Sequence, residues 1–129
     1  MKKILIILGS LFTLLFLICL ALYIWIDITV KDNIKTAKEK YPGKAEDALI
    51  GYLLDTTNSP INRSHLAIWT LGQIHSEKAI TILNSFYKND PEGKTCKGKH
   101  DSVLCQYELY KALNAAKANW WPLHARLNK

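Results

Sequence analysis

Residues 60–86 read PINRSHLAIWTLGQIHSEKAITILNSF, and the spacing of their apolar side chains decides the fold class. Ser64, Ala67, Ile68, Leu71 and Ile74 recur at helical intervals, and Ala79, Ile80, Ile82, Leu83 and Phe86 do so again after a short break. Ser59 before Pro60 is N-cap chemistry followed by the residue best suited to the first helical position. Ser76 can cap the second helix, whose end is expected near Asn89 ahead of Pro91. Upstream, Ala45, Ala48, Leu49, Tyr52 and Leu53 predict a helix over Lys44 to Asp55, closed by the turn-forming Thr56-Thr57-Asn58-Ser59. Downstream, Asp101 can cap a helix from Ser102 to about Trp120, with Val103, Leu104, Tyr107, Tyr110, Leu113 and Ala116 inward. No segment alternates as a strand does, so the expected fold class is all-α.

Short connections between helices of this length make successive helices antiparallel neighbours, either in a bundle or in a solenoid. An internal period separates the two. Ala79-x-x-x-Leu83-x-x-Phe86 repeats Ala45-x-x-x-Leu49-x-x-Tyr52 at an offset of 34 residues, and Leu71 has a counterpart in Leu113 at an offset of 42. The surplus of 8 matches the Gly-, Lys- and Cys-bearing stretch Gly93 to His100, which reads as an insertion into the repeat. The unit Ala67-x-x-x-Leu71-Gly72-x-Ile74-x-x-x-x-Ala79-x-x-x-Leu83 resembles the bacterial HEAT-like repeat family. The resemblance implies an α-α solenoid of about four helices, with Gly72 letting the two helices of a pair approach near their turn. It covers Pro60 to Phe86 well, and the flanking helices match only by pattern. Ser64 stands where the family often has Arg, with Arg63 one place early, and Asn114 replaces the Gly in the last unit. Arrays of this kind need about three units or more, so one of roughly two units calls for extra support.

The N-terminus has a different composition. Apolar residues make up 49% of the 129-residue chain, yet Ile4 to Ile26 holds no charged side chain. As a helix this run reaches roughly 34 Å, against about 30 Å of hydrocarbon, so it is expected to span a bilayer and bind lipid. It is longer than the apolar core of a cleavable signal peptide and ends in Tyr23-Ile24-Trp25-Ile26 instead of small residues, which favours a retained anchor. The bulky Ile18 before Cys19 argues against lipid attachment at that thiol. Tyr23 and Trp25 suit the membrane interface, as do Trp120 and Trp121 near the C-terminus if those do not cap the helical stack. The organisation expected is a cytoplasmic tail at 1–3, a transmembrane helix at 4–26, a basic stalk at 27–43 and a helical domain at 44–129. Lys31, Lys35, Lys38, Lys40 and Lys44 would, by count alone, keep the second flank inside. A short tail before an apolar run is nevertheless the usual form of a bacterial export signal, so the domain is expected outside the cytoplasmic membrane.

Function classes narrow by chemistry. Beyond the apolar run the chain carries 15 of its 17 Lys and Arg and all 11 acids, a balance too mild and dispersed for nucleic acid. No nucleophile elbow and no Gly-rich phosphate loop occurs, and Glu46-Asp47 at a helix start favours the helix dipole without a catalytic role. No catalytic residue and no cofactor is expected. Cys96 and Cys105 are expected to form a disulfide, worth about 2.5–3 kcal/mol for a loop of about 10 residues and consistent with an oxidising compartment. The competing chemistry is a metal site built on Cys96, His100 and Cys105, although C-x3-H-x4-C is unfamiliar for zinc and Lys97 and Lys99 would repel a cation. The first functional expectation is a non-catalytic scaffold or adaptor with an unknown protein partner, using Arg63, His65, Trp69 and Gln73 as an exposed helix face. The alternative is a small extracytoplasmic protein responsive to redox or metal at the Cys96/His100/Cys105 cluster.

Overall fold

The computed structural model describes residues 2–117, with side chains from Ile7 onward. Among these residues every regular element is helical: α1 (Lys2–Lys40), α2 (Ala45–Leu54), α3 (Pro60–Asn62), a π-helical segment (Arg63–Ile68), α4 (Trp69–Gln73), α5 (Ala79–Phe86) and α6 (Gln106–Lys117). The chain divides into two compact units, one ending at Lys31 and the other beginning at Asp32.

In the first unit every residue from Ile7 to Trp25 is exposed, Cys19 included. A helix that is apolar all round and exposed along its length among the described residues is what a bilayer crossing requires, and this helix is long and apolar enough for one. Trp25 is 62% exposed and Tyr23 lies two residues before it, both at the end of the apolar run as an interfacial belt demands. The α1 helix stops at Lys40, ahead of the Tyr41-Pro42-Gly43 step, since Pro and Gly both disfavour a helix interior.

The second unit begins inside the expected stalk. Ile34 and Ala37 are buried, Asn33 Nδ2 donates to Thr70 Oγ1 at 2.9 Å, and Lys40 pairs with Asp55 at 3.1 Å. The distal half of the 27–43 stretch is therefore part of the folded unit rather than a spacer. Its periodic Ile34 and Ala37 supply one apolar stripe.

The central helices follow their patterns closely. All five predicted inward residues of α2 are buried, with Ile50 added. Ser64, Ala67, Ile68, Leu71 and Ile74 are all buried as well, and Ser59 Oγ accepts from the Asn62 N–H at 3.3 Å to open the helix. The π-helical turn inserts within this helix and widens its buried face to take in Arg63 and Thr70. Ser76 Oγ accepts from the Ala79 N–H at 3.1 Å at the start of α5. Ser76 also donates to Glu46, and Lys78 pairs with Asp47. Both acids at the start of α2 thus tie that helix to the turn before α5.

Departures cluster at the C-terminal side. The α5 helix ends at Phe86, short of Asn89, because Gln106 anchors the chain there: its Nε2 donates to the Phe86 carbonyl at 3.2 Å and its Oε1 accepts from the Lys88 N–H at 2.7 Å. The last helix does not start after Asp101. A turn in which the Lys99 carbonyl accepts from the Ser102 and Val103 N–H groups occupies that stretch, and Cys105 takes the N-cap position of α6. The inward stripe is consequently Leu109, Ala112, Leu113 and Ala116, whereas Val103, Tyr107 and Tyr110 are exposed.

Packing order departs from the helix pair that the repeat resemblance implies. The α6 helix is the chief partner of both α4 and α5, while α2 packs on the π-helical segment. Gly72 meets α6 rather than the other helix of its pair. A Cβ added there would lie 2.8 Å from Ala112 Cα and 3.1 Å from Ala112 Cβ, so only glycine permits this approach.

Candidate functional site

Two surface features of the second unit bear on function, and the first is a cleft of about 370 Å³ between the start of the Pro60–Gln73 helical run and the loop before α6. Its lining includes Ile61, His65, Cys96, His100, Cys105 and Glu108. The 87–105 loop reaches it in an ordered path. Asp90 accepts from the backbone N–H groups of Lys94 and Thr95 and from the Thr95 hydroxyl. These bonds hold its carboxyl below the usual carboxylate range, the Thr95 backbone N–H contributing most. Gly93 turns the chain at a φ of +66°, in the left-handed region, and a Cβ there would stand 3.0 Å from Tyr107 Cβ and 3.2 Å from Cys96 Sγ. The loop can close down on α6 because that position is glycine.

Cys96 and Cys105 are both buried, and their sulfurs lie 3.2 Å apart as two thiols, unbridged. Cys96 Sγ also donates to the Gly93 carbonyl at 3.3 Å. Cys105 is fixed from the other side, where its backbone N–H donates to Ser64 Oγ at 3.1 Å. Burial pushes the Cys105 thiol up, opposed by the Glu108 and Tyr107 N–H groups at the start of α6, while the adjacent Cys96 thiol adds to the rise. His100, itself exposed, brings a ring nitrogen to this pair, so that one donor atom from each of the three residues falls within 4.8 Å of the others.

The second feature is a shallow groove of about 170 Å³ between α4 and α6, lined by Trp69, Gly72, Gln73, Glu108, Lys111, Ala112 and Ala115. Its floor is formed by small side chains where Gly72 meets Ala112. On its rim Lys111 pairs with Glu108 at 2.8 Å and lies 4.4 Å from the centre of the Tyr107 ring.

The four residues expected on one binding face separate. Trp69 and Gln73 share the α4–α6 groove, and His65 lines the thiol cleft instead. Arg63 is not on a binding face: it is buried, with Nε donating to the Leu53 carbonyl at 2.6 Å and its guanidinium 5.8 Å from the Phe86 ring centre. The last-turn carbonyls of α2 lack helical partners, and Arg63 supplies one from 10 residues downstream. Trp120 and Trp121 lie outside the described residues. Sequence reasoning missed Glu108 and the closeness of His65 to the cysteines, since the Ser64–Cys105 hydrogen bond spans 41 residues and no local pattern encodes it. Comparison with known protein families, curated proteins and solved structures finds no match.

Proposed function

We propose that this chain is a single-pass, membrane-anchored interaction module without catalytic activity, a short HEAT-like helical array held outside the cytoplasmic membrane of a bacterium. The observation that carries the reading is the α4–α6 groove, where half-buried Trp69 and Gln73 flank a floor of Gly72, Ala112 and Ala115. Aromatic side chains beside small-residue floors with a polar rim are the usual composition of binding hot spots. The fitting occupant is a segment of another protein that presents one large apolar side chain to the floor and polar groups to Gln73, Glu108 and Lys111. The all-helical build and the Ala-x-x-x-Leu spacing shared by α2 and α5 support the array reading. The apolar α1 helix confines any such partner to the membrane or its immediate surface.

A photo-crosslinking residue placed at Gln73 in the full chain tests this in intact membranes. A discrete partner protein is expected there and not from exposed Glu77, which lies outside the groove. Adducts identical from both positions, or only with the chain's own C-terminal segment, overturn the reading. A reporter fused after Lys129 and active only in the cytoplasm overturns the orientation.

A further inference from the structure

We propose that Cys96, His100 and Cys105 form a binding site for a thiophilic divalent cation of the zinc class. The site is independent of the groove and of any partner.

The donors themselves select the class of metal. Two sulfurs and one imidazole nitrogen, all within 4.8 Å, make a mixed soft and borderline set that favours zinc over calcium or magnesium, which take oxygen ligands. A sulfur separation of 3.2 Å lies far outside the roughly 2.05 Å of a disulfide. A tetrahedron built on metal–sulfur bonds of about 2.3 Å has an edge of about 3.8 Å, so the sulfurs would part by roughly half an ångström on loading.

The third donor distinguishes the two chemistries. A disulfide needs two residues and has no use for an imidazole, yet the Lys97-Gly98-Lys99 turn delivers exposed His100 onto the buried pair. The Cys96 carbonyl accepts from the Lys99 N–H at 3.0 Å, which fixes that turn. The fold also fixes both sulfurs in place: Cys96 Sγ lies 3.3 Å from the Gly93 carbonyl oxygen, and the Cys105 backbone N–H donates to Ser64 Oγ at 3.1 Å. Lys97 also lines the cleft, and its charge opposes a free cation.

The charges of the loaded site balance. Two thiolates and a neutral imidazole around a divalent ion sum to zero, so no net charge is carried into the interior. Binding displaces the two thiol protons to solvent and changes no oxidation state. Three protein donors leave a fourth position, the pattern of an open metal site, and the cleft lined by His65, Glu92 and Glu108 stands beside it.

The test uses the full chain in detergent, reduced and then stripped of metal. Titration with cobalt(II) is expected to give a thiolate-to-cobalt charge-transfer band saturating at one equivalent. Zinc should abolish the band by displacement. Cys105→Ser and Cys96→Ser should each weaken the band and lower affinity by well over about 100-fold, beyond the roughly 10–100-fold range of outer-shell changes. Because both cysteines are buried, His100→Gln supplies the exposed variant that leaves the fold unchanged. It should keep the helical circular dichroism and weaken zinc at least about tenfold against a chromophoric chelator. No charge-transfer band, or a His100→Gln affinity equal to the parent, overturns the proposal. So does recovery of the protein from membranes without reductant as metal-free disulfide.

Discussion

Replacing Gly72 by alanine probes the close packing of α4 on α6. The new methyl would sit 2.8 Å from Ala112 Cα, and because that obstacle is backbone, no rotamer change relieves it. The α4 and α6 helices must separate by several tenths of an ångström, disturbing the Leu71, Leu109 and Leu113 core. Overpacking of this kind costs about 1–3 kcal/mol. Alanine returns about 0.8–1.0 kcal/mol through its better helix propensity. With a backbone obstacle the cost belongs near the top of its range, leaving a net loss of about 2 kcal/mol. For a unit of this size each kcal/mol lowers the midpoint by about 4–8 °C, so a drop of roughly 8–16 °C is expected. Thermal circular dichroism of the detergent-solubilised chain measures it, with apolar α1 contributing a constant background. A second substitution sharpens the test. Ala112→Gly removes the methyl that stands 3.1 Å away but leaves the backbone carbon at 2.8 Å, so the double variant should recover less than half the loss. A neutral or stabilising Gly72→Ala, or full rescue by Ala112→Gly, refutes the packing argument.

Three further outcomes follow from the same structure. Leu71→Ala should cost about 2–5 kcal/mol as a core truncation, and Trp69→Ala less than about 2 kcal/mol because part of its surface already faces water; equal losses by urea denaturation would place Trp69 in the core. Asp55 is held well below the usual carboxylate range, chiefly by the Tyr41 hydroxyl and then by Thr57 and Lys40, and Asp90 is lowered by Thr95. Since the folded values lie below the unfolded one of about 3.9, this stabilisation is complete above that pH and disappears as pH falls through the folded values. Urea midpoints should therefore decline on acidification below about pH 4, and Asp55→Asn should flatten that decline. Gln106→Leu leaves the Lys88 N–H and Phe86 carbonyl without their side-chain partner and should cost about 1–3 kcal/mol. Amide exchange at Lys88 should accelerate; an unchanged rate would mean that the bond contributes nothing to local stability.

The residues that revealed themselves in sequence are those whose role is local. The stripes of α2 and of the Ser64–Ile74 run, the Ser59 cap and the break at Tyr41-Pro42-Gly43 depend on neighbours within a turn or two, and periodicity encodes such relations. The start of α6 was obscured by a genuine cap signal at Asp101, overruled by the tight turn at Lys99 and by Cys105 being pinned to Ser64. Rotating the helix start changed which face is inward, exchanging Tyr107 and Tyr110 for Leu109 and Ala112. Arg63 was misjudged because charge suggests solvent, while its guanidinium serves an unfilled carbonyl on another helix. At the candidate site, the cysteines and His100 were visible as a ten-residue cluster, whereas His65 and Glu108 enter it only through tertiary packing.

The hydrogen bond from Arg63 also bears on how the domain can be divided. In repeat arrays each unit contacts only its neighbours and adds its own stability and interface, so the array can be shortened by whole units. Here the end of α2 is finished by a side chain from the following helix, and Asn58 adds a second such bond to the Tyr52 carbonyl at 2.9 Å. Cutting between Leu54 and Pro60 would strand polar groups on one side and a buried cation on the other. The helices from α2 onward should consequently melt in one transition, and a shortened version cannot be obtained by deleting a unit.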